Sequence, residues 1–161
     1  MMQKLRNALL ALVIAIALTW MPSFTVPSAQ AVEYIPGLQF SIQPGTGNFV
    51  QFQSGAIFSP GQEVHVYYDS LRASSENDSC PPFGPSTKVT GHVMSDNSGF
   101  ITDFAVKSLD PPAVDFVKVG AFPTPKCYQR SNEIQMWFTG SGDGCVDSAF
   151  GRNYTFPVIC K

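Results

Sequence analysis

Gly144-Cys145-Val146-Asp147-Ser148-Ala149-Phe150-Gly151-Arg152-Asn153-Tyr154-Thr155-Phe156 is the stretch on which the fold reading turns. It follows a strand-like run, Glu133-Ile134-Gln135-Met136-Trp137-Phe138. Gly151 permits a positive φ, and an Asn at position 153 suits a turn because its side chain can bond nearby backbone. Tyr154 and Phe156 then alternate with Thr155, so the two rings share one face of a last strand and the threonine takes the other. The segment reads as a loop of fixed shape, pinned back onto a β-sheet.

Working outward, the same period recurs. In Glu63-Val64-His65-Val66-Tyr67-Tyr68-Asp69, Val64, Val66 and Tyr68 fall on one face and His65, Tyr67 and Asp69 on the other. Further strands are expected over residues 38–42, 49–53, 88–94, 100–106, 114–121, 134–138 and 154–159. Thirteen glycines and thirteen prolines punctuate them, with a strong turn at Ser59-Pro60-Gly61. No segment past the first thirty residues shows a 3.6-residue apolar period. These features predict an all-β chain, an immunoglobulin-like antiparallel β-sandwich of about eight strands. Two stretches interrupt the pattern: a long polar loop over 70–87, and the Pro-rich connection Phe122-Pro123-Thr124-Pro125-Lys126-Cys127.

Residues 1–31 read as a secretory signal peptide. Lys4 and Arg6 form a basic start, 8–20 an apolar core, and Ala29-Gln30-Ala31 a small-x-small cleavage site. The apolar run is short for a membrane span, which needs about 20 residues. Cleavage leaves one domain, 32–161. The whole chain carries a formal charge of −2; without Lys4 and Arg6, 8 basic residues face 12 acidic ones, a net −4. That balance excludes nucleic acid as a partner and disfavours anionic membrane surfaces after signal cleavage. The expected location is secreted or periplasmic. Four cysteines, Cys80, Cys127, Cys145 and Cys160, form an even set downstream of an export signal, which predicts two disulfides with three pairings open. No zinc pattern is present, since no C-x-x-C pair occurs and neither histidine lies at ligand spacing from a cysteine.

The search for chemistry yields no catalytic residue and no cofactor. His65 and His92 lie on different strands, and no G-x-S-x-G nucleophile motif occurs. Asp69, Asp103, Asp110, Asp115, Asp143 and Asp147 are scattered along the chain. The loop holding Asp143 and Asp147 has hard oxygen ligands of the kind Ca²⁺ takes, but not the spacing of an EF-hand. The stronger reading of Asp147 is an Asx-type turn, so no metal is assigned.

Met136-Trp137-Phe138 followed by the G-C-x-D-S-x-F-G-x-N-Y-x-F run of 144–156 resembles the end of a bacterial family of secreted, uncharacterised domains. Val64 to Arg72 resembles an earlier stretch of the same family. The likeness spans Glu63 to Val158 with gaps, and implies the pairings Cys80–Cys145 and Cys127–Cys160. More distantly, Asp147, Gly151, Asn153 and Tyr154 resemble the W-D-N-N-x-G-x-N-Y ending of immunoglobulin-like starch- and glycogen-binding modules. Val146 stands where those modules have their stacking tryptophan. The likeness implies a ligand set of Tyr67, Trp137, Phe150, Asn153 and Tyr154, and polysaccharide or a protein as the partner. The expected function is a small secreted non-catalytic binding or structural domain. A glucan-binding module is the first alternative, and a secreted hydrolase or effector the second.

Overall fold

The computed structural model describes residues 34–73, 83–84, 87–109, 116–129, 131–141 and 144–161. The expected signal peptide lies outside them, as do Cys80, Asp110, Asp115 and Asp143. The chain divides between Glu33 and Tyr34, and the second unit, Tyr34–Lys161, carries the strands.

Its elements are strands almost throughout: β1 Gly37–Ile42, β2 Phe49–Ser54, β3 Phe58–Ser59, β4 Glu63–Asp69, β5 Val89–Ser95, β6 Thr102–Ser108, β7 Val117–Pro123, β8 Glu133–Gly140, β9 Val146–Asp147, β10 Tyr154–Pro157 and β11 Ile159–Cys160. The all-β expectation therefore holds. Eight strands form one continuous path, β10-β8-β5-β6-β7-β4-β1-β2, with β9 appended to β8 and β11 paired separately with β3. Two features differ from a purely antiparallel sandwich. Strand β1 pairs parallel to β4, and β11 parallel to β3. Alternating apolar residues fix which face of a strand is buried but not the direction of its neighbour. Here β2 folds back on the outer edge of β1, and the chain crosses through β3 before β4 pairs on β1's other side.

The path is held across its middle by a short ladder in which Lys107 and Ser108 of β6 meet Val119 and Lys118 of β7. It curls until its two ends approach: Gln53 Nε2 on β2 donates to the carbonyl of Pro157 on β10 at 3.3 Å. Inside the curl, Phe40 of β1 is the centre of an aromatic cluster. Its ring lies 4.8 Å from Phe138, 5.0 Å from Tyr154 and 5.5 Å from Phe156, edge to face in each case. Tyr68 stacks on Phe138 at 4.1 Å. Rings from β1 and β4 thus pack against rings from β8 and β10, which gives the curled sheet the two-layer core of a sandwich. Gly91 on β5 serves this packing, because a Cβ there would lie 2.2 Å from the Phe104 ring.

At its described residues, the stretch after β4 departs from the solvated loop that its polarity suggests. Asp69 caps a 3-10 turn, Ser70–Arg72, by accepting from the Leu71 amide at 3.1 Å. Ser70, Arg72, Ala73 and Phe83 are all buried. The Pro-rich connection is likewise shorter than expected, since Phe122 and Pro123 belong to β7. Cys127 at its end is bonded to Cys160 and so ties the connection to the C-terminal strand. One disulfide is thus described where two were expected. The Cys80–Cys145 pairing involves a cysteine outside the described residues; Cys145 itself is buried, and no described cysteine is free.

Candidate functional site

The Ser148–Asn153 loop is built as a tight, locally bonded unit. The Asn153 amide donates to the Ser148 carbonyl at 2.7 Å, and the Gly151 amide to Ser148 Oγ at 3.2 Å. Gly151 has φ +79°, as its sequence position predicts. Ala149 (φ +52°), Phe150 (φ +58°) and Asn153 (φ +61°) share that left-handed region. A non-glycine residue there costs about 1–2 kcal/mol, so the loop holds strain at two consecutive ordinary residues. The Asn153 side chain does not close its own turn; its Nδ2 donates to Gln135 Oε1 on β8 at 3.0 Å. The loop lifts Phe150 into solvent, 64% exposed, with its ring 6.4 Å from that of Phe49.

Beneath the loop lies a sealed polar network. Asp147 on β9 pairs with Phe138 and so points inward. Its Oδ2 accepts from the Tyr68 hydroxyl at 2.8 Å and its Oδ1 from the Tyr154 hydroxyl. Arg72 faces the same carboxylate, with Nε 3.5 Å from Oδ2, an ion pair rather than an aligned hydrogen bond. Arg72 Nη1 donates to the carbonyls of Ser41 and Val50, and Nη2 to the Tyr154 hydroxyl at 3.0 Å. Its guanidinium sits 4.5 Å from the Phe49 ring centroid. Burial, followed by the charge of Asp147, raises the Tyr68 and Tyr154 hydroxyls well above the ordinary tyrosine value. Asp147 is therefore an anchor in the core. Among the described residues no three His, Cys, Asp or Glu side chains are grouped to hold a metal.

A cleft of about 410 Å³ opens between the two ends of the sheet. Phe49 and Gln51 of β2 form one wall; Tyr154 and Thr155 of β10, with Phe150, Arg152 and Asn153, form the other; Arg72 makes the floor. Three of the five ligand residues expected from sequence, Phe150, Asn153 and Tyr154, meet here. Tyr154 is buried there, with its hydroxyl engaged by Asp147. The other two lie elsewhere. Tyr67 is half-exposed on the outer face of β4, beside a groove lined by His65, Val119 and Ala121. Trp137 is on the outer face of β8, stacked on His92 with centroids 5.2 Å apart.

That outer face holds a second constellation. His92 Nδ1 lies 2.7 Å from Asp103 Oδ1 and its Nε2 2.8 Å from Thr139 Oγ1. Along the chain His92 has only Thr90 and Met94 as same-face neighbours; its acid and hydroxyl come from the flanking strands β6 and β8. His65, by contrast, meets only Glu63 on its own strand, at 2.8 Å. Sequence reasoning missed Arg72, Gln51, Asp103 and Thr139. The signal within reach was the conjunction of a lone arginine after a strand and a lone aspartate in the terminal motif.

Compared with protein-family models, with characterised proteins and with solved structures, the chain matches none. No helix among the described residues is long and apolar enough to cross a membrane.

Proposed function

We propose that the chain is a small secreted domain that binds a ligand in the cleft between β2 and β10. The observation that carries this reading is Phe150. A large apolar side chain is held in solvent by two consecutive non-glycine residues in the left-handed region, and strain of that kind persists where the surrounding structure imposes it and clusters at binding sites. The cleft wall offers aromatic and amide groups and the Arg152 guanidinium, with no acid among them, which suits recognition rather than chemistry. The Cys127–Cys160 bond is compatible with an oxidising compartment and so with export.

Carbohydrate is the ligand class favoured by the lining. Phe49 and Phe150 supply aromatic rings, while Gln51 and Asn153 supply amides for hydroxyl groups. Affinity electrophoresis through gels containing soluble glucans, beside a protein without affinity, tests this. Retardation that Phe150→Ala abolishes supports the glucan reading; no retardation on any glucan removes it. Capture of a protein ligand that the same substitution abolishes would leave the cleft reading standing without sugar.

A further inference from the structure

We propose that the outer face of β5, β6 and β8 carries an ester-cleaving site, in which Thr139 is the nucleophile, His92 the general base and Asp103 the residue that positions the imidazole. The inference does not rest on the cleft reading, because the two sites share no residue.

The geometry is that of a nucleophile, a base and an orienter in line. A carboxylate only accepts, so the 2.7 Å contact with Asp103 fixes the proton on Nδ1. Nε2 is then the acceptor, and Thr139 Oγ1 at 2.8 Å donates to it. This is the tautomer and direction that general-base activation of a hydroxyl requires. The three groups stand on adjacent, mutually paired strands, which makes the arrangement rigid. Trp137, with its ring plane 15° from that of His92, holds the imidazole from turning. The His92 side chain is 15% exposed, shielded yet reachable.

Thr90 lies directly opposite Thr139 in the β5–β8 ladder, which puts their Cβ atoms about 4.5–5.5 Å apart. Its hydroxyl is a donor within the same ladder pair for an oxyanion formed at Thr139. Thr90 also lines a depression of about 420 Å³ with Lys88, Ala105 and Lys107. The depression meets the row through Thr90, and its lining holds none of the three catalytic groups, so a short acyl ester is the substrate that the row itself accommodates.

Thr139 Oγ1 bonds to the ester carbonyl carbon as His92 Nε2 takes the hydroxyl proton. The tetrahedral oxyanion collapses, the bond to the alcohol oxygen breaks, and His92 returns the proton to that oxygen. Water then attacks the acyl-threonine with His92 again as base, releasing the carboxylic acid and restoring Thr139. No further reactant is consumed.

Hydrolysis of 4-nitrophenyl acetate by the full domain, against an equal concentration of free imidazole, tests the proposal. The expected result is a rate above imidazole that falls about 100-fold in His92→Ala and reaches the imidazole level in Thr139→Val. Thr139→Ser retains turnover and shows that the site tolerates substitution. Peptide mapping of acid-quenched wild-type protein should place the acetyl group on Thr139, a readout that needs no variant to fold. A wild-type rate no higher than imidazole, an unchanged rate in Thr139→Val, or acetyl groups on lysines alone would overturn it.

Discussion

Two aspartates anchor two hydrogen-bonded chains in this molecule, and their surroundings set them apart. Asp147 receives two tyrosine hydroxyls and an arginine at a point with no solvent access. Asp103, 65% exposed, receives one histidine nitrogen on the outside of the sheet. The sealed chain has its protons locked in place: burial raises both tyrosines, and a charge removed from the set leaves its partner stranded. The open chain can exchange protons and meet a substrate. Similar side chains become a structural bolt on the inner face and a reactive row on the outer face, because strand residues alternate between the two.

The largest expected effect breaks the sealed side. Arg72→Met leaves Asp147 buried without its cation, and we expect a loss of about 3–5 kcal/mol in urea unfolding. Next comes Tyr68→Phe, which keeps the ring on Phe138 and removes one donor to Asp147, at a cost of about 1–3 kcal/mol by the same measurement. The isosteric Thr139→Val on the open side should cost less than either while removing turnover, so stability and activity separate across the sheet.

Alkaline titration sharpens the contrast further. Tyr68 and Tyr154 have folded-state values raised above the unfolded value of about 10. Their contribution to stability is therefore present below that pH and is lost as pH rises above it. Followed by tyrosinate absorbance, these two of the five tyrosines should ionise only with unfolding. Early ionisation of all five would show that the network is open to solvent. The smallest effect lies in the strained loop: Ala149→Gly relieves one left-handed residue and should raise stability by about 0.5–1 kcal/mol, read as a higher melting temperature.

Much of this architecture was legible in the chain. The face assignments of Val64, Val66 and Tyr68, and of Tyr154 and Phe156, follow from period-two alternation and match the observed burial. The Gly151 turn was legible because only a few residue types favour positive φ. Strand direction was not, since β1 and β4 carry no local mark of being parallel neighbours. Arg72 was hidden because a charged residue reads as solvated until its partners, 75 and 82 positions away at Asp147 and Tyr154, are brought beside it. The same holds for His92. Its acid is 11 residues away and its hydroxyl 47, and only the β6-β5-β8 order makes them neighbours. The site was half-legible: the terminal motif pointed to Phe150, Asn153 and Tyr154, while the opposite wall, Phe49 and Gln51, depends on the curl of the sheet.

The most direct test sets Asp147→Asn beside Asp103→Asn in one urea denaturation series. The sealed variant should lose about 3–5 kcal/mol, and the open variant should stay within about 0.5 kcal/mol of wild type. Equal losses, or a larger loss at Asp103, would contradict the division between a structural bolt inside and a reactive row outside.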